Sequence, residues 1–144
     1  MERPTHAGLR HLALNVRDMP AMKRFYVDVL GFSVEWEPDV DNIYLSSGID
    51  NLALHRDADV VVRQAQDDRG PRRRVGPSGA LDHLGLIVRS ADDVDRWAVF
   101  LEDRGVTLKA RPKTHRDGAR SLYCLDPDGN SVQIIHHPPI SEKA

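Results

Sequence analysis

The chain states one pattern twice. Leu9-Arg10-His11-Leu12-Ala13-Leu14-Asn15-Val16 returns in the second half as Leu81-Asp82-His83-Leu84-Gly85-Leu86-Ile87-Val88, with a histidine third in each run. In the first copy Leu12, Leu14 and Val16 fall on one face of a strand and His11, Ala13 and Asn15 on the other, because successive side chains of a strand point to opposite faces. Such a strand packs one face and leaves the other to line a cavity. A duplicated half-domain with one histidine at the same place in each copy limits the chain to paired, pseudo-equivalent modules. It also suggests two ligating groups brought together by pseudo-symmetry.

The segments downstream of the two runs repeat as well. After the first, Asp18 is a helix cap with Pro20 in the first turn. Met22, Phe25, Tyr26, Val29 and Leu30 recur at helical spacing, and Gly31 stops the helix. Strands are predicted over 32–37, 43–47 and 52–56, the last two joined by a turn through Gly48 and Asp50-Asn51. After the second, Ser90 caps a helix with Asp92 and Asp93 in its first turn. Val94, Trp97, Ala98 and Leu101 form its apolar stripe, and Gly105 ends it. Strands are predicted over 106–110, 121–125 and 131–135, the last pair joined by Asp126-Pro127-Asp128-Gly129. Pro138-Pro139 stops the last strand, and a polar tail trails off beyond it.

The expectation is an α+β fold of two tandem βαβββ modules, residues 9–56 and 81–137. At 144 residues neither half has core enough to stand alone, so the modules should pack into a single domain, 1–144. The joining segment, 57–80, is long for a compact domain. It carries Arg69-Gly70-Pro71-Arg72-Arg73-Arg74, read either as a solvated loop or as a clamp for an anionic group.

Hydrophobic content of 40% with 29% charged residues and a net charge of −2 is ordinary for a soluble globular protein and gives no reason to expect nucleic acid or a membrane as partner. No apolar run approaches the roughly 20 residues that span a bilayer. Cys124 is the only cysteine, which suits the reducing cytoplasm and a buried, structural thiol.

Leu9-Arg10-His11-Leu12, Phe25-Tyr26 with Val29-Leu30-Gly31-Phe32, Leu81-Asp82-His83-Leu84, and Tyr123-Cys124-Leu125-Asp126-Pro127-Asp128-Gly129-Asn130 running on to Gln133 together resemble the vicinal oxygen chelate superfamily. That group includes glyoxalase I, type I extradiol dioxygenases and bleomycin-resistance proteins. The resemblance implies βαβββ modules whose mixed sheets curl into a cup with the helices outside. It implies a divalent metal (Zn, Ni, Mn or Fe(II)) in the cup, a small substrate with adjacent oxygens, and often a homodimer. Carried over by position, the metal ligands are His11, His83 and Gln133. The first module's fourth-strand position matches Ala53, which cannot bind metal, and His55 lies two residues further on. Many relatives carry Glu where this chain has Gln133, and an amide brings no negative charge and no general base.

His55 is read as a fourth ligand or an acid/base, His115 as a proton shuttle above the substrate, and Tyr123, placed in the catalytic set, as a hydroxyl that orients a substrate oxygen. Lys113, Ser121 and Asn15 are candidate substrate contacts. Lys113 and His115 are placed in a polar rim loop over 113–118, and the set Lys113, Ser121 and Tyr123 looks like that of the fosfomycin-resistance enzymes. Three functional readings stay open. One is a metal-dependent lyase, isomerase or transferase of the glyoxalase type. The other is a metal-free module that sequesters a small molecule, like the bleomycin-resistance proteins. Extradiol ring cleavage is a third.

Overall fold

The computed structural model describes residues 1, 3, 5–59 and 81–143. The arginine run 69–74 and most of the joining segment lie outside the described residues. The rest divides into two compact units, one within Met1–Val60 and one within Val61–Ala144.

The first unit runs β1 (His11–Val16), α1 (Met19–Arg24), β2 (Ser33–Asp39), β3 (Asn42–Ser46) and β4 (Asn51–Arg56). Its sheet has the order β1-β4-β3-β2, with β1 parallel to β4 and the other pairs antiparallel. The second unit runs β5 (Leu84–Ile87), α2 (Ala91–Asp103), β6 (Leu108–Thr114), β7 (Arg120–Leu125), β8 (Ser131–His136) and a short α3 (Pro138–Ser141). Its sheet has the matching order β5-β8-β7-β6, again with the first and last strands parallel. Each unit is therefore βαβββ around a four-stranded mixed sheet, and the class is α+β.

Local chemistry explains the elements. Asp18 accepts a hydrogen bond from the Ala21 amide at 3.0 Å and starts α1. The helix continues into a π-helical turn, Phe25–Val29, which buries Phe25 and Tyr26. Tyr26 meets Phe25 and Phe32 edge-on. Gly31 takes the left-handed conformation that closes this helix, with φ at 79°, a region open to glycine at little cost. In the second unit Ser90 and Asp93 form a reciprocal capping box, so two of the helix's unpaired N-terminal amides are satisfied. Helix α2 then packs across β6, β7 and β8.

Leu14, Val16, Met22, Tyr26, Leu45 and Leu54 are buried in the first unit, and Val94, Leu101, Leu122, Cys124, Val132 and Ile134 in the second. Each such side chain contributes about 1.5–3 kcal/mol through its removal from water. The face of β1 predicted to pack inward does so: Leu14 and Val16 are buried, while His11, Ala13 and Asn15 are exposed. Cys124 is fully buried, as expected, and burial, then the Asp126 charge, pushes its thiol up to about 12.

Three boundaries near the predicted residues differ from the sequence reading. Strand β5 begins at Leu84, so His83 sits just ahead of it. Asn51 belongs to β4 rather than to the preceding turn. Strand β6 extends to Thr114, so Lys113 lies on a strand and only His115 onward forms the loop. Pro112 does not stop β6, because β6 is an edge strand whose outer backbone needs no partner; Pro38 in β2 sits on the other unit's edge for the same reason. Pro138 and Pro139 end β8 as predicted, but they also occupy the first turn of α3, where a missing N–H costs nothing.

Candidate functional site

Residues paired across a sheet project to the same side, so the register defines the polar face opposite each core. In the first unit His11 pairs with Asn51, Ala13 with Ala53, and Asn15 with His55. Tyr44 pairs with Ala53, Asn42 with His55, and Trp36 with Tyr44. A register shift between Val34 and Trp36 adds Glu35, whose carboxylate accepts a hydrogen bond from Asn51 Nδ2 at 2.7 Å. The bulge matters because strict alternation would send Glu35 and Trp36 to opposite faces.

This face is ordered by polar contacts. His11 Nδ1 lies 2.8 Å from Asn51 Oδ1, and His55 Nδ1 lies 2.7 Å from Asn42 Oδ1. Trp36 stacks on Tyr44 with ring centroids 5.2 Å apart and planes 24° apart. Tyr44 in turn meets the His55 ring edge-on at 5.8 Å. Trp36 keeps 60% of its surface exposed, so the aromatic pair presents an open apolar shelf beside the polar groups. Asn15 is exposed and faces His55 across the ladder.

In the second unit Gly85, Gln133, Tyr123 and Ala110 form one row across the sheet. Gln133 is 8% exposed, and its Nε2 donates to the Tyr123 hydroxyl at 2.8 Å. Its Oε1 points toward Gly85, where a Cβ would come to 3.6 Å. Among the described residues this oxygen accepts no hydrogen bond. The His83 ring stands edge-on to Tyr123 at 5.2 Å, and His83 Nδ1 lies 2.7 Å from Asp82 Oδ1. Burial first, and the Asp82 charge second, raise the Tyr123 phenol above its ordinary pKa, so it stays protonated. The neighbouring row holds Lys113 opposite Ser121. Ser121 is buried, and its Oγ lies 2.8 Å from His115 Nε2.

The nine predicted residues therefore fall into three groups. His83, Gln133 and Tyr123 meet in one cluster. Ser121, His115 and Lys113 form a second group on the same unit. His11, Asn15 and His55 share the polar face of the first unit, with His11 and His55 near opposite ends of β4. Ala53 occupies the ladder position that Gln133 holds in the second unit, since each faces a tyrosine on one side and the first strand's small residue on the other. Among the described residues no three His, Cys, Asp or Glu side chains converge as a metal-binding group. A surface hollow lined by Arg17, Asp18, Met19, Pro20, Val40 and Arg56 contains none of the predicted residues, and its lining offers no convergent chemistry.

The model of the Glyoxalase/Bleomycin resistance protein/Dioxygenase superfamily matches residues 8–134. The chain belongs to that superfamily. Biphenyl-2,3-diol 1,2-dioxygenase 3 of Rhodococcus globerulus is 26% identical over 126 residues, which are 88% of this chain and 61% of the dioxygenase. The chain thus spans under two thirds of that relative. Metallothiol transferase FosB of Bacillus licheniformis is 24% identical over 93% of this chain and 78% of the transferase. Among solved structures, lactoylglutathione lyase from Agrobacterium tumefaciens superposes with a TM-score of 0.71 at 22% identity, covering 92% of this chain and 96% of that one. A glyoxalase/dioxygenase from Nostoc punctiforme gives 0.71 at 21% identity, with 92% of each chain covered.

This superfamily member carries site-face residues that the sequence reading missed. Glu35 and Trp36 needed the bulge to be seen. Asn51 needed the β1–β4 register, and Asn42 and Asp39 needed the β2–β3 turn. Asp82 was visible beside His83, but adjacent strand residues point apart. Only the late start of β5 lets the two side chains meet. No helix among the described residues is long and apolar enough to cross a membrane.

Proposed function

We propose that this protein is a metal-dependent enzyme acting on a small polar substrate with two neighbouring oxygens, by isomerase, lyase or transferase chemistry. One observation carries the reading. His11 and His83 stand at equivalent positions of the two copies, and each spends Nδ1 on a side-chain oxygen. That leaves Nε2 as the nitrogen with a lone pair, the arrangement in which histidines bind metals. Gln133 Oε1, with no hydrogen bond among the described residues, is a third donor. Two imidazoles and an oxygen suit Zn, Ni, Mn or Fe(II), so His11, His83 and Gln133 would hold the ion. When bound, the metal supplies Lewis-acid polarisation of a substrate carbonyl.

The chain's own groups do the remaining work. Gln133 occupies the lone pair of the Tyr123 oxygen, so the phenolic hydrogen is free to be donated to a substrate oxygen. The raised pKa of Tyr123 makes it a donor rather than a base. His55, with Nδ1 held by Asn42, presents Nε2 for proton uptake. His115 orients the Ser121 hydroxyl, and Lys113 and Asn15 offer an ammonium and an amide to substrate oxygens. The name of the metallothiol transferase relative speaks of metal for that protein alone.

The test is elemental analysis after reloading with Zn, Ni, Mn or Fe(II). One metal per chain, lost in His11→Ala/His83→Ala, is the expected result. No metal in the wild-type protein would refute the reading. A second reading, sequestration of a planar ligand without metal, draws support from Ala53 and from the exposed Trp36–Tyr44 stack. Ligand binding that persists in excess chelator would favour it. A cytoplasmic homodimer completes the proposal, the compartment supported by the single, buried cysteine; solution mass tests the dimer.

A further inference from the structure

We infer that two carboxylate–asparagine–histidine relays set the tautomers of His11 and His55, with Glu35 and Asp39 as the positioning residues that decide them. Donor and acceptor capacity dictates the outcome. An ionised carboxylate only accepts hydrogen bonds. Glu35 Oε2 lies 2.7 Å from Asn51 Nδ2, so it holds the NH₂ end of that amide and turns the carbonyl end toward His11. A carbonyl oxygen also only accepts, so His11 Nδ1, 2.8 Å away, must carry the proton. Neutral imidazole has one N–H, and Nε2 is therefore left with its lone pair.

The second relay repeats the device. Asp39 Oδ1 and Oδ2 lie 2.9 and 3.1 Å from Asn42 Nδ2, and Asn42 Oδ1 lies 2.7 Å from His55 Nδ1. The Asn42 hydrogen bond, and then the Asp41 backbone amide, hold the Asp39 carboxyl below the usual carboxylate range, so it stays in the accepting form. His83 reaches the same tautomer without an amide, directly from Asp82 at 2.7 Å. Three imidazoles are thus oriented by three carboxylates.

The duplication supplies the control. Trp36 and Tyr44 form the ladder pair that Ala110 and Tyr123 form in the second unit. The residue before each pair, at the register shift, is Glu35 in one unit and Lys109 in the other. Glu35 reaches Asn51, while Lys109 Nζ reaches Ser131 Oγ at 3.1 Å, and both targets lie two residues before the Ala53 and Gln133 positions. The second unit therefore has a cation where the first has an anion. Glu35→Lys copies that arrangement. Its ammonium can only donate, so it draws the Asn51 carbonyl to itself, turns the NH₂ toward His11, and leaves Nδ1 as acceptor with the proton on Nε2.

The inference deepens the metal reading, since Nε2 is the coordinating atom, and it is tested apart from it. Long-range ¹H–¹⁵N correlation spectra of the metal-free, full-length protein, recorded well above the ordinary imidazole pKa of about 6.5, report each tautomer. The expected result is Nδ1–H for His11 and His55 in the wild type. Glu35→Lys should move His11 alone to Nε2–H, with His55 as the internal control for an intact fold, and Asn51→Ala should leave His11 unconstrained. An Nε2–H wild-type His11, or the same tautomer before and after Glu35→Lys, overturns the relay. Zinc is the second probe: Glu35→Lys should weaken its Kd roughly tenfold to a hundredfold, and an unchanged Kd beside a switched tautomer overturns the positioning role. If the wild type binds no metal, the proposed function fails and the tautomer alone decides the relay.

Discussion

The Gln133–Tyr123 hydrogen bond makes a quantitative demand on stability that a double-mutant cycle can meet. Gln133 is 8% exposed and its Nε2 has the Tyr123 hydroxyl as partner at 2.8 Å. Tyr123→Phe removes only that oxygen and leaves a buried amide N–H without an acceptor. An orphaned buried donor costs about 1–3 kcal/mol. Gln133→Leu should cost less, about 0–1 kcal/mol, because the half-buried Tyr123 hydroxyl can turn to water and an apolar side chain fills the space. With both changes present no polar group is stranded, so the double variant should sit well above the sum of the two losses. The coupling should be about 1 kcal/mol, within the range found for groups in direct contact. For a chain of this length that is about 3 °C in Tm. Urea unfolding of the four proteins, with equal m-values, measures it. Additivity within about 0.3 kcal/mol would mean that the pair is not a hydrogen bond, and the picture of Gln133 oriented by Tyr123 would fall with it.

Two further predictions concern pH. Arg96, and then Ser90, hold the Asp93 carboxyl down at about 2 against 3.8. A depressed pKa adds stability that is present above the unfolded value and is lost as pH falls from about 4 to 2. Asp93→Asn should therefore flatten that part of a Tm-versus-pH curve, and an unchanged acid slope would contradict the capping-box geometry. Cys124 behaves in the opposite sense. Its thiol is raised from 9.0 to about 12, so its contribution is complete below 9.0 and is lost as pH climbs toward 12. A thiol reagent at pH 8 should label Cys124 only at the rate of unfolding, and fast labelling of native protein would show that the β7 core is open.

The repeat made most of the fold legible because strand periodicity and helix capping are local signals. Leu14 and Val16, the Ser90 cap with Asp93, and the turn at Asp126 each announce themselves within a few residues. The site was legible only where one residue type sufficed. His11 and His83 could be chosen by position in the repeat and Gln133 by the family resemblance, but what orients them depends on register and on a bulge. Asn51 looked like a turn residue until β4 was found to begin there opposite His11. Lys113 reads as a loop residue because the run 113–118 is polar throughout, and only its pairing with Ser121, on an edge strand that tolerates Pro112, puts it in β6.

The two units also show what duplication preserves and what it frees. The histidine at the head of each copy, the register shift before Trp36 and Ala110, and the tyrosine in the third strand recur in both. Of these the register shift is a backbone feature, and losing it would move every later neighbour in the ladder. The side chains hung on them have diverged: Glu35 against Lys109, Asn51 against Ser131, Ala53 against Gln133. Each substitution changes charge or donor capacity without changing the strand. The equivalent histidines consequently stand in unlike electrostatic settings, His11 behind an amide and a carboxylate, His83 beside its own acid.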